Sequence, residues 1–179
     1  MTYKEQIEWI FEQHRSTNHK YDDYLPYEFH LNMVAKNAAD FKSCANNRNP
    51  HEIYLAAYGH DLIEDTRVTY TTVCDNLGQY AADIIYAVTN EKGKTRKERA
   101  NEKYYEGIRN QEDAVFIKLC DRLANLQYGL LQGGYKGNSM FKKYQQENEH
   151  FGTALGVHNN PEHKCFPIYA RILEILTQK

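Results

Sequence analysis

The segment Tyr58-Gly59-His60-Asp61-Leu62-Ile63-Glu64-Asp65-Thr66 ends an apolar run with four ionisable groups inside six residues. Burying charge costs free energy unless the charge is paired or bound to a metal. On one continuous helix His60 and Glu64 stand four apart and share a face, and Asp61 and Asp65 form a second such pair beside it. Gly59 leaves room for a backbone or a ligand to come close. Asp121 lies in a second apolar run, Phe116 to Asn125, and His30 lies on the stripe of Phe29, Met33 and Val34. If the three helices pack together, His30, His60, Asp61 and Asp121 offer two imidazoles and two carboxylates. That donor set suits one divalent ion of intermediate hardness, Mn²⁺ first, with positions left for water and a phosphate oxygen. Taken singly, each residue has a plainer explanation. A buried histidine is usually a hydrogen-bonded core residue, Asp61 could pair with Arg122, and Glu64-Asp65-Thr66 could be an ordinary helix end.

The elements that must position these groups read as helices almost throughout. Tyr3, Ile7, Ile10, Phe11 and His14 recur at three and four. Pro26 suits a first helical turn, followed by Phe29, Met33, Val34, Asn37 and Phe41 on one face. Pro50 opens a helix from His51 to about Ile63, apolar nearly all round and therefore expected at the centre. Thr69 to Leu77 is a short helix stopped by Gly78, and Gln79 to Thr89 follows. Thr95 to Ile108 is charged with few apolar anchors. Asp113 could cap Ala114–Leu131. Ser139 leads into a polar helix through Phe141, Tyr144 and Phe151, and Pro161 to Thr177 closes the chain. Loops fall at 15–25, 45–49, 90–94, 132–138 and 156–160, all short enough for one compact domain. No hairpin or repeat is evident. The expectation is one all-α domain over 1–179, with eight or nine helices.

Composition narrows the function classes. The 179 residues carry 22 Lys plus Arg against 24 Asp plus Glu, a net charge of −2. Such a balance gives no argument for a nucleic-acid or polybasic-membrane partner. Mean hydropathy is −0.78, and no stretch nears the ~18 apolar residues of a membrane span. Glu5 and Glu8 stand where a signal peptide would be apolar. The four cysteines are scattered without a C-x-x-C pair, which argues against structural zinc or a disulfide scaffold. A cytoplasmic location is expected.

Over roughly residues 10–131 the chain resembles the HD superfamily of metal-dependent phosphohydrolases. Within it, the chain is similar to the RelA/SpoT hydrolase domain and the small Mesh1-like alarmone hydrolases. The residues that carry the resemblance are His14-Arg15, Lys20, Pro26-Tyr27-x-x-His30 and Ala56-Ala57-x-x-His60-Asp61-x-x-Glu64-Asp65-Thr66. They continue through Leu77-Gly78, Val88-Thr89 and Ile117-Lys118-Leu119-x-Asp121-Arg122-Leu123-x-Asn125. The resemblance implies an HD-type helical bundle in which His30, His60, Asp61 and Asp121 hold the metal. It implies that Glu64 and Asp65 orient and deprotonate the attacking water, and that Asn125 contacts a ribose. The chain departs from the pattern where it reads His19-Lys20 in place of Arg-Lys, Leu31 in place of Pro, and Leu126-Gln127-Tyr128 in place of Met-Arg-Thr. Those departures touch the nucleoside side, where His19, Lys20 and Tyr128 are the expected contacts, and leave the metal side whole.

Glu91–Arg99 holds five cations in nine residues. Such a run is either a solvated face or a device for phosphate capture, with Arg96 and Arg99 as the contacts. Lys142 and Lys143 are a weaker pair. Gly133-Gly134-Tyr135-Lys136-Gly137 lacks the Gly-Lys-Ser/Thr ending of a phosphate loop and reads as a connection. The expected activity is that of a guanosine-3′,5′-bis(diphosphate) 3′-pyrophosphohydrolase, acting with one divalent ion, such as Mn²⁺, on a small nucleotide. The alternatives are an HD hydrolase of another nucleotide, such as a 5′-mononucleotide or dinucleotide phosphate, and a nucleotide-binding sensor without catalysis. The oligomeric state is left open.

Overall fold

A computed structural model describes residues 1–46 and 49–177, with the backbone alone at 135 and 136. Helix α1 (Tyr3–Ser16) leads to a small hairpin, β1 (Lys20–Tyr21) and β2 (Leu25–Pro26). Then come α2 (Glu28–Asp40), α3 (Pro50–Gly59), α4 (Leu62–Asp65), α5 (Tyr70–Leu77) and α6 (Gln79–Val88). The chain continues through α7 (Arg96–Arg99), α8 (Glu102–Asn110), α9 (Ala114–Leu131), α10 (Gly134–Gly137), α11 (Ser139–Ala154) and α12 (Phe166–Thr177). Nine of these helices have eight residues or more, as the apolar periods anticipate, and the fold is all-α apart from the hairpin. The loop expected at 45–49 falls partly outside the described residues. Among the described residues no helix is long and apolar enough to cross a membrane.

Helices α3 and α9 form the centre. The first packs on α1, α2, α6 and α9, and the second on α2, α3, α6, α8, α11 and α12. Leu55, Ala56 and Ala57 are fully buried on successive positions of α3, which is what an all-round apolar sequence requires. Each such Leu or Ile contributes roughly 1.5–3 kcal/mol through burial. The capping follows side-chain chemistry. The side chains of Thr2, Asn49, Thr69, Thr95, Asn101 and Asn138 each accept a hydrogen bond from a backbone N–H in the first turn of the helix they precede. Gly78 ends α5 at φ 96°, and a Cβ there would lie 2.5 Å from the Glu52 carboxylate. That carboxylate, reaching over from α3, accepts from Ala81 N at 3.0 Å at the start of α6.

Several local expectations change. Pro26 lies in β2 opposite Lys20 rather than in a helix; proline lacks the N–H that an inner strand must donate, but a two-residue edge does not need it. The hairpin escaped notice because two residues per strand give no readable alternation. The charged stretch after Thr95 forms two capped helices, α7 and α8. Asp113 stands at the start of α9 with φ 65° but does not cap it; its carboxylate accepts instead from Asn46 N and the Tyr80 hydroxyl. The last helix begins at Phe166, five residues after Pro161, because 161–165 coil into turns first. The glycine-rich connection contains the single turn α10. Gly59 admits no ligand: a Cβ there would sit 2.9 Å from Ile85 Cδ1 and 3.1 Å from Leu62 Cδ1.

Candidate metal centre and its cleft

The expected continuous helix from His51 to Ile63 breaks. α3 stops at Gly59, Asp61 sits at φ −101°, ψ 3°, and α4 restarts at Leu62. In an unbroken helix consecutive side chains diverge by about 100° and cannot face one point. The break lets His60 and Asp61 do so, with His60 Nε2 2.9 Å from Asp61 Oδ2. The ladder resumes at once through Asp65 N to Asp61 O at 2.9 Å.

His30 from α2 and Asp121 from α9 complete a floor. His30 Nε2 lies 3.3 Å from His60 Nε2, 3.4 Å from Asp121 Oδ1 and 3.9 Å from Asp61 Oδ2. One donor atom each from His30, His60 and Asp121 falls within 4.8 Å of the others. Three of the four residues expected to form the donor set thus group together, and Asp61 Oδ2 lies beside the two imidazoles. The chemistry of the donors fits a cation. His60 Nδ1 lies 3.0 Å from the Ala57 carbonyl, which can only accept, so Nδ1 carries a proton and Nε2 is the nitrogen that faces the centre. Burial alone would lower the His60 pKa, yet the Asp61 and Asp121 carboxylates push it up to about 9. The floor is short of positive charge. His30 Nδ1 is buried without a hydrogen-bond partner among the described residues. Two imidazoles and two carboxylates suit a divalent metal that accepts both nitrogen and oxygen.

The groups around the floor differ in how far they are committed. Glu64 stands at the rim, where its carboxylate accepts from Asn90 Nδ2 at 2.7 Å and Asn90 N at 3.3 Å. Partial burial, then the charges of Asp61 and Glu64, push Asp65 up to about 7. The Lys118 ammonium lies 3.1 Å from Asp121 Oδ2. The Tyr27 hydroxyl donates to Asp61 Oδ2. Neither Lys118 nor Tyr27 was singled out as a site residue, although both sit in the motifs that carry the resemblance. Lys118 stands three residues before Asp121, the spacing that places both on one helix face.

A hollow of about 200 Å³ opens over the floor, lined on its far side by Arg96, Arg99, Tyr104, Arg122 and Tyr144. Across Glu64, Asp65, Asn90, Arg99 and Tyr104 it borders a larger one of about 1020 Å³ that reaches Lys92 and Lys103. Arg96 and Arg99 are thus at the cleft, as expected of phosphate contacts. Arg96 is already engaged: its Nε and Nη2 donate to Glu147 at 3.0 and 2.7 Å. Glu147 also accepts from buried Arg122 at 2.8 Å, whose guanidinium lies 4.3 Å from the Tyr144 ring centre and 3.9 Å from that of Phe151. Arg122 pairs with Glu147 rather than with Asp61, and partners 25 residues apart leave no local signal for Glu147 in the sequence. Lys142 and Lys143 line neither hollow.

The hairpin side holds the other expected contacts. His19 stacks on Tyr27 at 3.8 Å, meets His14 Nδ1 at 3.0 Å, and places Nε2 3.8 Å from Asp65. Strand alternation turns Tyr21 inward and leaves Lys20 exposed. Asn125 Nδ2 donates to Asp121 Oδ1 at 2.6 Å, while its Oδ1 accepts from the Tyr21 hydroxyl at 2.9 Å. The Tyr128 hydroxyl donates to Asp22 at 2.8 Å. Asn125 lies at the floor, Tyr128 and His19 stand beside it, and exposed Lys20 lines neither hollow.

No family model matches the chain. It is 29% identical over 123 residues to the guanosine-3′,5′-bis(diphosphate) 3′-pyrophosphohydrolase MESH1 of Danio rerio, covering 69% of this chain and 66% of that one. It is 25% identical over 125 residues to the protein of the same name from Drosophila melanogaster, covering 70% and 68%. The match thus spans about two thirds of the length of these curated relatives. A solved structure, described as a metazoan ortholog of SpoT that hydrolyzes ppGpp, superposes with a TM-score of 0.68 over 95% of this chain and 94% of that one, at 22% identity. That likeness shows the fold. The chain is therefore similar in sequence to these MESH1 proteins over about two thirds of its length, and it shares the fold of the solved ortholog.

Proposed function

We propose that the chain, as one HD-type hydrolase domain over 1–179, removes pyrophosphate from the 3′ position of a guanosine tetra- or pentaphosphate-like nucleotide. The observation that carries this reading is the convergence of His30, His60, Asp61 and Asp121 beneath a cleft with a carboxylate pair on its rim and arginines opposite. The names of the relatives point the same way. His30, His60, Asp61 and Asp121 hold one divalent ion, and Mn²⁺ matches their mixed nitrogen and oxygen donors. When bound, such an ion supplies Lewis acidity toward water and phosphate.

In the reaction a water oxygen adds to the phosphorus next to the 3′ oxygen, and the bond between them breaks. The water must lose a proton and the departing 3′ oxygen must gain one. Glu64 and Asp65 orient the water and take its proton. A carboxyl held near pKa 7 both accepts and returns a proton at neutral pH. Tyr27 and Ala57 fix the orientations of Asp61 and His60. Arg96 and Arg99 take the phosphate charge. His19, Lys20, Asn125 and Tyr128 make the nucleoside side. The partner is this small nucleotide rather than nucleic acid or membrane, and the setting is the cytoplasm.

A panel of nucleotides with Mn²⁺ tests the reading by following pyrophosphate against orthophosphate. Pyrophosphate release from 3′-pyrophosphorylated guanosine nucleotides is expected. Brisk release of orthophosphate from 5′-mononucleotides, with none of pyrophosphate, would overturn it. A second reading, the same chemistry on a different nucleotide, is favoured by one observation: the chain's own groups already occupy Asn125 and Tyr128.

A further inference from the structure

Tyr21 makes two contacts with the floor from the tip of the hairpin. Its ring stacks on His30 with centroids 4.8 Å apart and planes 15° from parallel. Its hydroxyl donates to Asn125 Oδ1 at 2.9 Å. A flat ring on an imidazole face and a hydroxyl on an amide oxygen are the contacts that a nucleoside, with its base and its sugar hydroxyls, would make in the same place. The ring also meets Tyr128, 4.8 Å away and tilted by 59°, so Tyr21 fills a place among neighbouring rings. Asn125 has little left to give: its amide N–H groups go to the Asp121 carbonyl at 3.2 Å and to the Asp121 carboxylate at 2.6 Å.

The hairpin that carries Tyr21 is short, although the Tyr21 ring also meets Tyr27 and Phe29, each with its centroid 6.1 Å away. The hairpin has two residue pairs, Lys20 with Pro26 and Tyr21 with Leu25. Its turn is fastened to α9 by Asp22, which sits at φ 57° and accepts from the Tyr128 hydroxyl at 2.8 Å and Gln132 Nε2 at 2.6 Å. A segment tied by so few bonds can yield to a ligand that satisfies the same groups.

We infer that Tyr21 is a specificity-determining residue, an internal competitor that occupies a nucleoside subsite formed by the His30 face and Asn125 Oδ1. The inference rests on the proposed function for the identity of the ligand. Tyr21 lowers the grip on the nucleoside while leaving the phosphate end untouched. Any nucleotide using this subsite must first displace the ring.

Calorimetric titration with guanosine 5′-diphosphate, and separately with inorganic pyrophosphate, tests this on the Mn²⁺-loaded protein and on Tyr21→Ala and Tyr21→Phe. Tyr21→Ala is expected to bind the nucleotide roughly fivefold more tightly, the value of about one hydrogen bond no longer competed for. Tyr21→Phe keeps the ring and frees Asn125, so it should gain roughly twofold. Pyrophosphate affinity should stay put in both. Nucleotide affinity that is unchanged or weaker in both variants would overturn the inference, as would pyrophosphate affinity moving in parallel. If Tyr21→Ala does not fold, Tyr21→Phe decides alone, and no gain there counts against it. If the variants tighten the nucleotide while the unaltered protein releases no pyrophosphate from any 3′-pyrophosphorylated substrate, the proposed function falls and the role of Tyr21 stands.

Discussion

The floor of the cleft and the wall opposite are both dense with charge, and they treat it in opposite ways. On the wall, Arg96 and Arg122 converge on one carboxylate, Glu147, and Arg122 lies between two aromatic rings. Those charges pair with one another, although Arg122 Nη1 is itself buried without a hydrogen-bond partner among the described residues. On the floor, two imidazole Nε2 atoms face each other at 3.3 Å among carboxylates, and His30 Nδ1 has no partner among the described residues. Charges that satisfy one another hold architecture, whereas groups kept unsatisfied cost stability that is recovered when a ligand arrives. Substitutions should therefore divide, the floor costing activity and the Arg122–Glu147 pair of the wall costing stability.

The largest effect is expected from His60→Ala, which should abolish both metal binding and hydrolysis. Its signature is thermal. A ligand at 100 times its Kd adds ~2.7 kcal/mol to stability, so Mn²⁺ should raise the melting temperature of the unaltered protein and leave that of His60→Ala unmoved. An equal rise in both would place the metal elsewhere. Next comes Glu64→Gln, where kcat should fall by ~10²–10⁴, the usual reach of general acid–base catalysis, while the Mn²⁺-induced thermal shift persists. Normal kcat in that variant would make Glu64 a mere anchor for Asn90. Smallest in activity is Glu147→Gln. Breaking a fully buried ion pair costs ~3–5 kcal/mol. Glu147 keeps 29% of its side chain exposed, so about 2 kcal/mol is the expected loss, read as a lower melting temperature in Mn²⁺-free protein with the metal response intact. A drop in activity greater than the drop in stability explains would erase the contrast between floor and wall.

The same contrast explains which parts were legible in the sequence. His30, His60, Asp61 and Asp121 could be found because each sits in an apolar run of sequence where a charge is out of place, and that anomaly is local. The long helices were legible for the same reason, through period and caps such as Thr69 and Gly78. The wall was not, because Glu147 and Arg96 look like any exposed charges until α7 and α11 meet. The hairpin was too short to show a period of two, so Tyr21 passed as one tyrosine among 15. The break at His60–Asp61 also went unread. Nothing in an apolar run marks a helix that must stop so that two neighbours can face one point.

Helix α9 carries the cleft along a single stripe. Lys118, Asp121, Arg122 and Asn125 line the hollow, and Tyr128 and Gln132 fasten the hairpin two turns further on. Cation, metal donor, amide and latch are thus kept in register by helical phase alone. One residue inserted between Asp121 and Tyr128 would rotate everything beyond it by about 100° and advance it by about 1.5 Å. The hairpin latch would turn away while the metal donor stayed in place. At this helix the number of residues is held more strictly than their identity, so variation that the cleft tolerates should come as substitution and not as insertion.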